Sequence, residues 1–131
     1  MPAPGETNID ALVRQLSPRL DDTVWVFAAV PPAEVPERRS EALACFEESE
    51  AVTLILPVSA AHGLTTVSGS RARITLQVQS SLDAVGLTAR VAQALADEGI
   101  SANVVAAFYH DHIFVPHARR FDAVACLTQL S

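Results

Sequence analysis

The residues that could contact a small molecule are concentrated between residues 80 and 116. Ser80 or Ser81 is suited to cap a helix, and the unpaired backbone N–H groups at a helix N-terminus favour a bound carboxylate near residues 82–86. Gly86 would then lie about one turn inside the helix, where glycine costs about 1 kcal/mol relative to alanine. Its presence indicates close approach by a ligand or by a neighbouring backbone. Packing of the helix on a strand, without a ligand, explains the same glycine and stays open.

Polar residues also occur in the strand pair predicted after this helix. Asn103 interrupts an apolar run, so its amide could face a ligand or bond to a turn. Asp111 lies in a predicted turn, a position that aspartate often occupies without any ligand. His110 and His112 share a face of an extended chain and, with His117, are loosely compatible with metal ligation. Metal binding is the weaker alternative, because nothing else in the sequence supports so short a spacing.

The sequence contains none of the common catalytic or nucleotide-binding motifs. The GxSxG, GxxxxGK[ST] and GxGxxG patterns are absent, and the five glycines are isolated. Cys45 and Cys126 lie in apolar segments predicted to be helical and are not spaced as CxxC, so we expect buried thiols in a reducing compartment. We therefore expect no enzymatic activity and no cofactor.

Composition and charge limit the location and partners of the chain. With 131 residues, 50% of them hydrophobic, and a mean hydropathy of +0.26, the chain can bury a substantial core. Its apolar runs fall far short of the roughly 20 residues that span a bilayer, and no secretory signal is recognisable. The net charge is −6, and the nine basic residues are scattered arginines. We expect a cytoplasmic protein that binds neither nucleic acid nor membranes.

Residues 1–65 form the first predicted half. Its elements are a helix over residues 9–16 capped by Thr7 or Asn8, a strand over 23–30, a brief helix over 41–48 and a strand over 51–57. In the brief helix, Leu43 and Phe46 are expected to face inward.

Residues 66–131 form the second predicted half. Its elements are a strand over residues 72–79, a helix with Leu87, Val91 and Leu95 inward and a stop at Gly99, strands over 102–109 and 112–115, and a final helix from Phe121. This order is a ferredoxin-like βαββαβ unit without its closing strand. We predict that residues 23–30, residues 51–57 or another subunit fill that position. The fold class is therefore α/β of the α+β type, with two interlocked halves and antiparallel sheets.

The segment SSLDAVGLTARVAQALADEGISANVVAAFYHDHIFVP resembles the second half of a tandem ACT-like family. The likeness is strong over residues 74–124 and looser in VFAAVPP and ACFEESEAVTLILP of the first half. Similar ACT domains include amino-acid sensors and aspartokinase regulatory regions, which bind small metabolites where repeats or subunits pair. The resemblance implies the same fold and a homodimer or larger homo-oligomer.

The resemblance also implies a site for an amino acid or similar metabolite. Its residues would be Ser81, Leu82, Val85, Gly86, Leu87, Ser101, Asn103 and Asp111. Asp111 matches an acidic position of related amino-acid sensors, where it could neutralise an ammonium group. A structural or oligomerisation module without a ligand, and a metal-binding protein using His110, Asp111 and His112, are the alternatives.

Overall fold

The computed structural model describes residues 8–78 and 82–130, and the chain forms two compact units. Unit 1 combines Met1–Asp22 with Ala72–Ser131, and unit 2 is Thr23–Arg71. Unit 1 is therefore built from both ends of the sequence. No helix in the described part of the chain is long and apolar enough to cross a membrane.

Unit 1 begins with the predicted amphipathic helix. Helix α1 spans Ile9–Arg14, and the Asn8 side chain accepts a hydrogen bond from the Ala11 N–H at 3.1 Å, which confirms Asn8 as its cap. Leu12 and Leu16 are completely buried in the unit 1 core. The chain then turns at Ser17, whose φ is 45°, and enters strand β1, Pro18–Leu20.

The sheet of unit 1 consists of β1 with strands β5 (Arg71–Leu76), β6 (Asn103–Ala106) and β7 (Asp111–Pro116). Their order is β1-β5-β7-β6. Strand β1 pairs antiparallel with β5, with Pro18 opposite Leu76 and Leu20 opposite Ile74. The closing strand is therefore Pro18–Leu20. It comes from the first half of the sequence, as predicted, but it is neither residues 51–57 nor another subunit, and residues 23–30 contribute only the pair of Trp25 with Arg71.

Two helices complete unit 1. Helices α3 (Leu87–Asp97) and α4 (Arg120–Leu130) contribute to one core with the inward residues of the sheet, and Gly99 adopts φ +70° at the predicted stop. The alternation on β5 and the four-residue spacing on α3 are confirmed by the buried side chains, which include Ile74, Leu76, Leu87, Val91, Leu95, Ile113, Val115 and Leu127.

Unit 2 is a smaller and helix-poor version of the same arrangement. Strand β2 (Trp25–Val30) pairs antiparallel with β4 (Val52–Pro57), which also pairs with β3 (Ala44–Glu47). On the other side of β2, the Ser68 N–H donates to the Phe27 carbonyl at 2.8 Å and Val67 bridges to Ala28. Its one α-helix in the described chain, α2, spans only Val35–Arg38.

The helix predicted over residues 41–48 is wrong. After a 3₁₀ turn at Arg39–Glu41 the chain becomes strand β3, because its backbone pairs with β4. This tertiary pairing overrides a weak local helix preference. Phe46 is 71% exposed and Leu43 is also exposed, so neither faces inward. Cys45 consequently lies on a strand, and it and Cys126 are half-buried free thiols.

The burial of Leu16 provides a test of how unit 1 is assembled. Leu16→Ala should lower the free energy of unfolding by about 2–5 kcal/mol, because it removes a fully buried side chain and leaves a cavity. The exposed neighbour Gln15 provides a control, and Gln15→Ala should change the free energy of unfolding by less than about 0.5 kcal/mol. Urea unfolding measures both. Equal, small effects would show that the N-terminal segment is not part of the core.

Candidate ligand site

The start of helix α3 differs from the sequence prediction. The helix begins at Leu87, and Gly86 is its N-cap residue, without a side-chain capping bond. A start at Ser80 or Ser81 is therefore wrong, and the positions of both serines lie outside the described residues. Just before the helix, Leu82 and Val85 are 60% and 82% exposed, whereas Leu87 is buried in the core.

Backbone conformation explains Gly86. Its φ is +98°, in the left-handed region that residues with a Cβ adopt only under strain. A Cβ built there would meet Ile9 Cγ1 at 3.8 Å, which is ordinary van der Waals contact. The prediction that Gly86 lies inside the helix is therefore wrong, and no neighbouring backbone of the described chain approaches it closely. Close approach by a ligand stays a prediction.

The predicted ligand residues fall at two ends of unit 1. Helix α3 has 11 residues and is thus about 16 Å long, with Gly86 before its first turn and Ser101 beyond its last. The Glu98 carbonyl near its end accepts a 3.2 Å hydrogen bond from Arg119, which follows the C-terminal end of β7. Asp111 at the other end of β7 is therefore on the Gly86 side.

Asn103 belongs to the other group. It pairs with Phe114 in the β6–β7 hairpin, whereas Asp111 pairs with Ala106. Three residues of strand, about 10 Å, separate the two positions. Unit 1 therefore brings Leu82, Val85, Gly86, Leu87 and Asp111 to one end, and Ser101 and Asn103 to the other.

Asp111 is the first residue of β7 and not part of a turn. Its side chain is only 8% exposed and lies on the same face as the buried Ile113 and Val115. Within the described chain its carboxylate makes no hydrogen bond or ion pair. Burial raises the pKa of the Asp111 carboxyl, and the neighbouring His112 and His110 partly oppose this shift.

Unit 2 has an apolar residue at the strand position that Asp111 occupies in unit 1. Strand β4 has the same six-residue burial pattern as β7, also ends in proline, and is also followed by a 3₁₀ turn. Val52 occupies the position equivalent to Asp111 and has the same low exposure. An apolar side chain satisfies that position, so folding alone does not explain a carboxylate there.

The three histidines do not converge. His112 Nδ1 lies 3.0 Å from Thr75 Oγ1, and burial, with smaller contributions from Arg73 and His110, lowers the pKa of His112. His117 lies beyond the opposite end of β7. Among residues 8–78 and 82–130, no group of three His, Cys, Asp or Glu side chains could hold a metal ion.

A polar cleft on the open face of the unit 1 sheet was missed by the sequence analysis. It has a volume of about 560 Å³ and is lined by Arg19, Leu20, Asp21, Asp22, Arg73, Thr75, Gln77 and His110. The alternation on β5 identifies Arg73 and Thr75 as a wet face. Residues 19–22 could be added only by knowing that β1 pairs with β5.

Sequence profiles described as ACT domain match residues 4–70 and 70–129, so together they cover nearly the whole chain. The order of strands and helices in unit 1 agrees with this match. The chain belongs to the ACT domain family. ACT domains are regulatory modules with a ferredoxin-like fold, and the chain carries two matches to them, whose boundary at residue 70 differs from the division into units 1 and 2. No curated protein matches the sequence.

Solved structures agree with the family assignment. A protein of unknown function from Vibrio cholerae, described as a possible transport protein, is 41% identical, with a TM-score of 0.83 over 92% of this chain and 94% of that one. The ligand-free regulatory subunit of aspartate kinase from Thermus thermophilus is 11% identical, with a TM-score of 0.67 over 89% of this chain and 98% of that one. The latter likeness concerns the fold alone.

The conformation of Gly86 predicts a cost for adding a side chain. Gly86→Ala should lower the free energy of unfolding by about 1–2 kcal/mol, because alanine is strained at φ +98°. Gly69 has no such φ and open space around it, so Gly69→Ala should be neutral or slightly stabilising. Denaturant titration compares the two. A neutral Gly86→Ala would contradict the left-handed cap.

The buried carboxylate predicts a pH-dependent gain in stability. The folded protein holds the Asp111 proton more tightly than an aspartate of ordinary pKa near 3.8, so this stabilisation is present below that pH and is lost as pH rises through the folded pKa. Asp111→Asn should therefore stabilise the protein at neutral pH, and the gain should vanish in acid. Unfolding curves of both proteins across pH measure this difference. Destabilisation at neutral pH would show that the carboxylate is satisfied.

Proposed function

We propose that this ACT protein is a cytoplasmic, non-enzymatic regulator that binds an amino acid or a similar small metabolite. The observation that carries the proposal is Asp111, a buried carboxylate at a position where the other unit has Val52. A ligand ammonium would supply the opposite charge that this carboxylate lacks within residues 8–78 and 82–130, so the cost of burying it would be recovered on binding.

The start of α3 lies at the same end of unit 1 as Asp111 and suits the other end of such a ligand. Its N-cap residue, Gly86, supplies no side chain to cap the first N–H groups, and the N-terminal dipole favours a carboxylate. Leu82, Val85 and Gly86 would line this part of the site, and Leu87, whose side chain is buried in the core, would contribute its backbone N–H. Ser81, also predicted to belong to the site, lies outside the described residues. The exposed apolar side chains of Leu82 and Val85 would then be covered by ligand or by a partner.

Ser101 and Asn103 would contribute to the ligand site only if copies of the chain assemble. They lie at the far end of α3, so they would reach the same ligand only from a second copy of the chain. Such a site would be shared between copies and would couple binding to a homodimer or larger assembly. A ligand shifts such an equilibrium only by its difference in affinity for the two states.

A module that joins subunits without a ligand is the second candidate. Strand β3 lies at the edge of the unit 2 sheet, and Phe46 on it is largely exposed. An edge strand with an exposed aromatic side chain favours pairing with another chain. This candidate predicts assembly that no small molecule changes.

A thermal-shift screen of the amino acids separates the two candidates. A binder at 100 times its dissociation constant adds about 2.7 kcal/mol and raises the melting temperature by several degrees. Asp111→Asn should abolish this shift, because the ammonium loses its counter-charge. Glu37→Gln, at an exposed position of unit 2, makes the same type of change and should retain the shift. No shift with any amino acid, or a full shift in Asp111→Asn, would refute the proposal.

A further inference from the structure

The polar cleft of unit 1 lies on the face of the sheet opposite to Asp111. Arg19 of β1 is directly opposite Thr75 of β5, and Thr75 is bonded to His112 of β7. These three side chains form a row across the open face. Asp111 points to the other face, because adjacent strand residues alternate. The cleft is therefore separate from the proposed amino-acid site.

The charged side chains of the cleft differ in whether they form ion pairs within the described chain. Arg73 Nε is 2.7 Å from Asp21 Oδ2, so these two residues form a part-buried ion pair. Arg19 and Asp22 are exposed, and neither forms an ion pair with any residue of the described chain. The cleft therefore presents one guanidinium and one carboxylate that are available to a ligand.

Two neutral side chains of the cleft, Gln77 and His110, also have polar groups that could bond to a ligand. Gln77 Oε1 accepts a 3.1 Å hydrogen bond from Ser17 Oγ, which orients the Gln77 amide and leaves its NH₂ group as a donor. His110 Nδ1 is buried and has no hydrogen-bond partner in the part of the chain that the structure describes. A 180° rotation of the His110 imidazole ring would exchange the positions of Nδ1 and Cδ2, and would thereby change which ring atoms face the cleft. Because buried polar atoms are normally hydrogen-bonded, an atom without a partner among the described residues is a candidate for contact with a ligand.

We propose that this cleft binds a small hydroxy acid. A planar guanidinium recognises a carboxylate through two parallel hydrogen bonds, which assigns the acid group to Arg19. Hydroxyl groups both donate and accept, so they match the Asp22 carboxylate, the Gln77 amide and the His110 imidazole. The volume of about 560 Å³ is in the range of metabolite sites, and the polar lining disfavours an apolar ligand.

Hydroxy acids also separate this site from the proposed amino-acid site, because they carry no ammonium for Asp111. The probes are L-lactate, L-malate and D-gluconate, with acetate as the acid that lacks a hydroxyl. Two-dimensional amide NMR of the full chain should show concentration-dependent shifts at residues 19–22 and 73–77 with at least one hydroxy acid, and weaker binding of acetate.

Three variants test the assignment. Arg19→Gln should weaken binding of the responding hydroxy acid about tenfold or more, through loss of a charge-assisted hydrogen bond. Arg39→Gln, at an exposed arginine of unit 2, should bind it normally, and so should Asp111→Asn. Absence of shifts at the cleft with all three hydroxy acids, or unchanged affinity in Arg19→Gln, would overturn this proposal. Loss of binding in Asp111→Asn would also overturn it, because the two sites would not be independent. Failure of the amino-acid screen would leave these outcomes unaffected.

Discussion

The pairing of β1 with β5 is the constraint on which unit 1 depends. It joins Pro18 to Leu76 and completes a four-strand sheet that the second half of the sequence leaves open. The same N-terminal segment supplies Leu12 and Leu16 to the core. Because these contacts connect residues nearly sixty positions apart, their loop-closure entropy must be recovered by burial of the apolar side chains. Unit 1 is therefore a discontinuous domain with Thr23–Arg71 inserted in sequence.

The pairing also determines what the open face of the sheet can do. It places Asp21 against Arg73 and Arg19 opposite Thr75, so a polar cleft is assembled from residues that are distant in sequence. On the opposite face of this sheet, β7 carries Asp111, whereas the equivalent position of β4 in unit 2 is Val52. A buried carboxylate without a partner among the described residues costs stability, and such losses are commonly tolerated at functional positions.

Strong periodicity allowed much of the fold to be predicted. Leu87, Val91 and Leu95 on α3 were predicted correctly because every fourth residue is apolar and packs on one core. Strand β1 could not be predicted, because three residues beginning with proline carry no alternating pattern, and their pairing partner lies far along the chain. The start of α3 was misplaced because the serine-cap rule ignores the left-handed conformation that only Gly86 supplies readily.

The candidate site was only partly accessible to sequence reasoning for the same reason. Asp111 was selected from resemblance, but its burial appears only when β7 is paired and compared with β4. Arg19 and Asp22 have no sequence pattern around them that indicates a ligand site.

The predicted boundary between residues 65 and 66 stays a prediction, since the profile matches meet at residue 70 whereas contacts assign the N-terminal residues to unit 1.

The proposed function requires that a ligand ammonium group contacts the buried Asp111. The decisive experiment is a crystal structure of the protein grown with the amino acid that most raises its melting temperature. We expect ligand density with its amino nitrogen within hydrogen-bonding distance, about 2.7–3.2 Å, of an Asp111 carboxylate oxygen. An amino acid bound elsewhere, with the Asp111 carboxylate still without a partner, would contradict it.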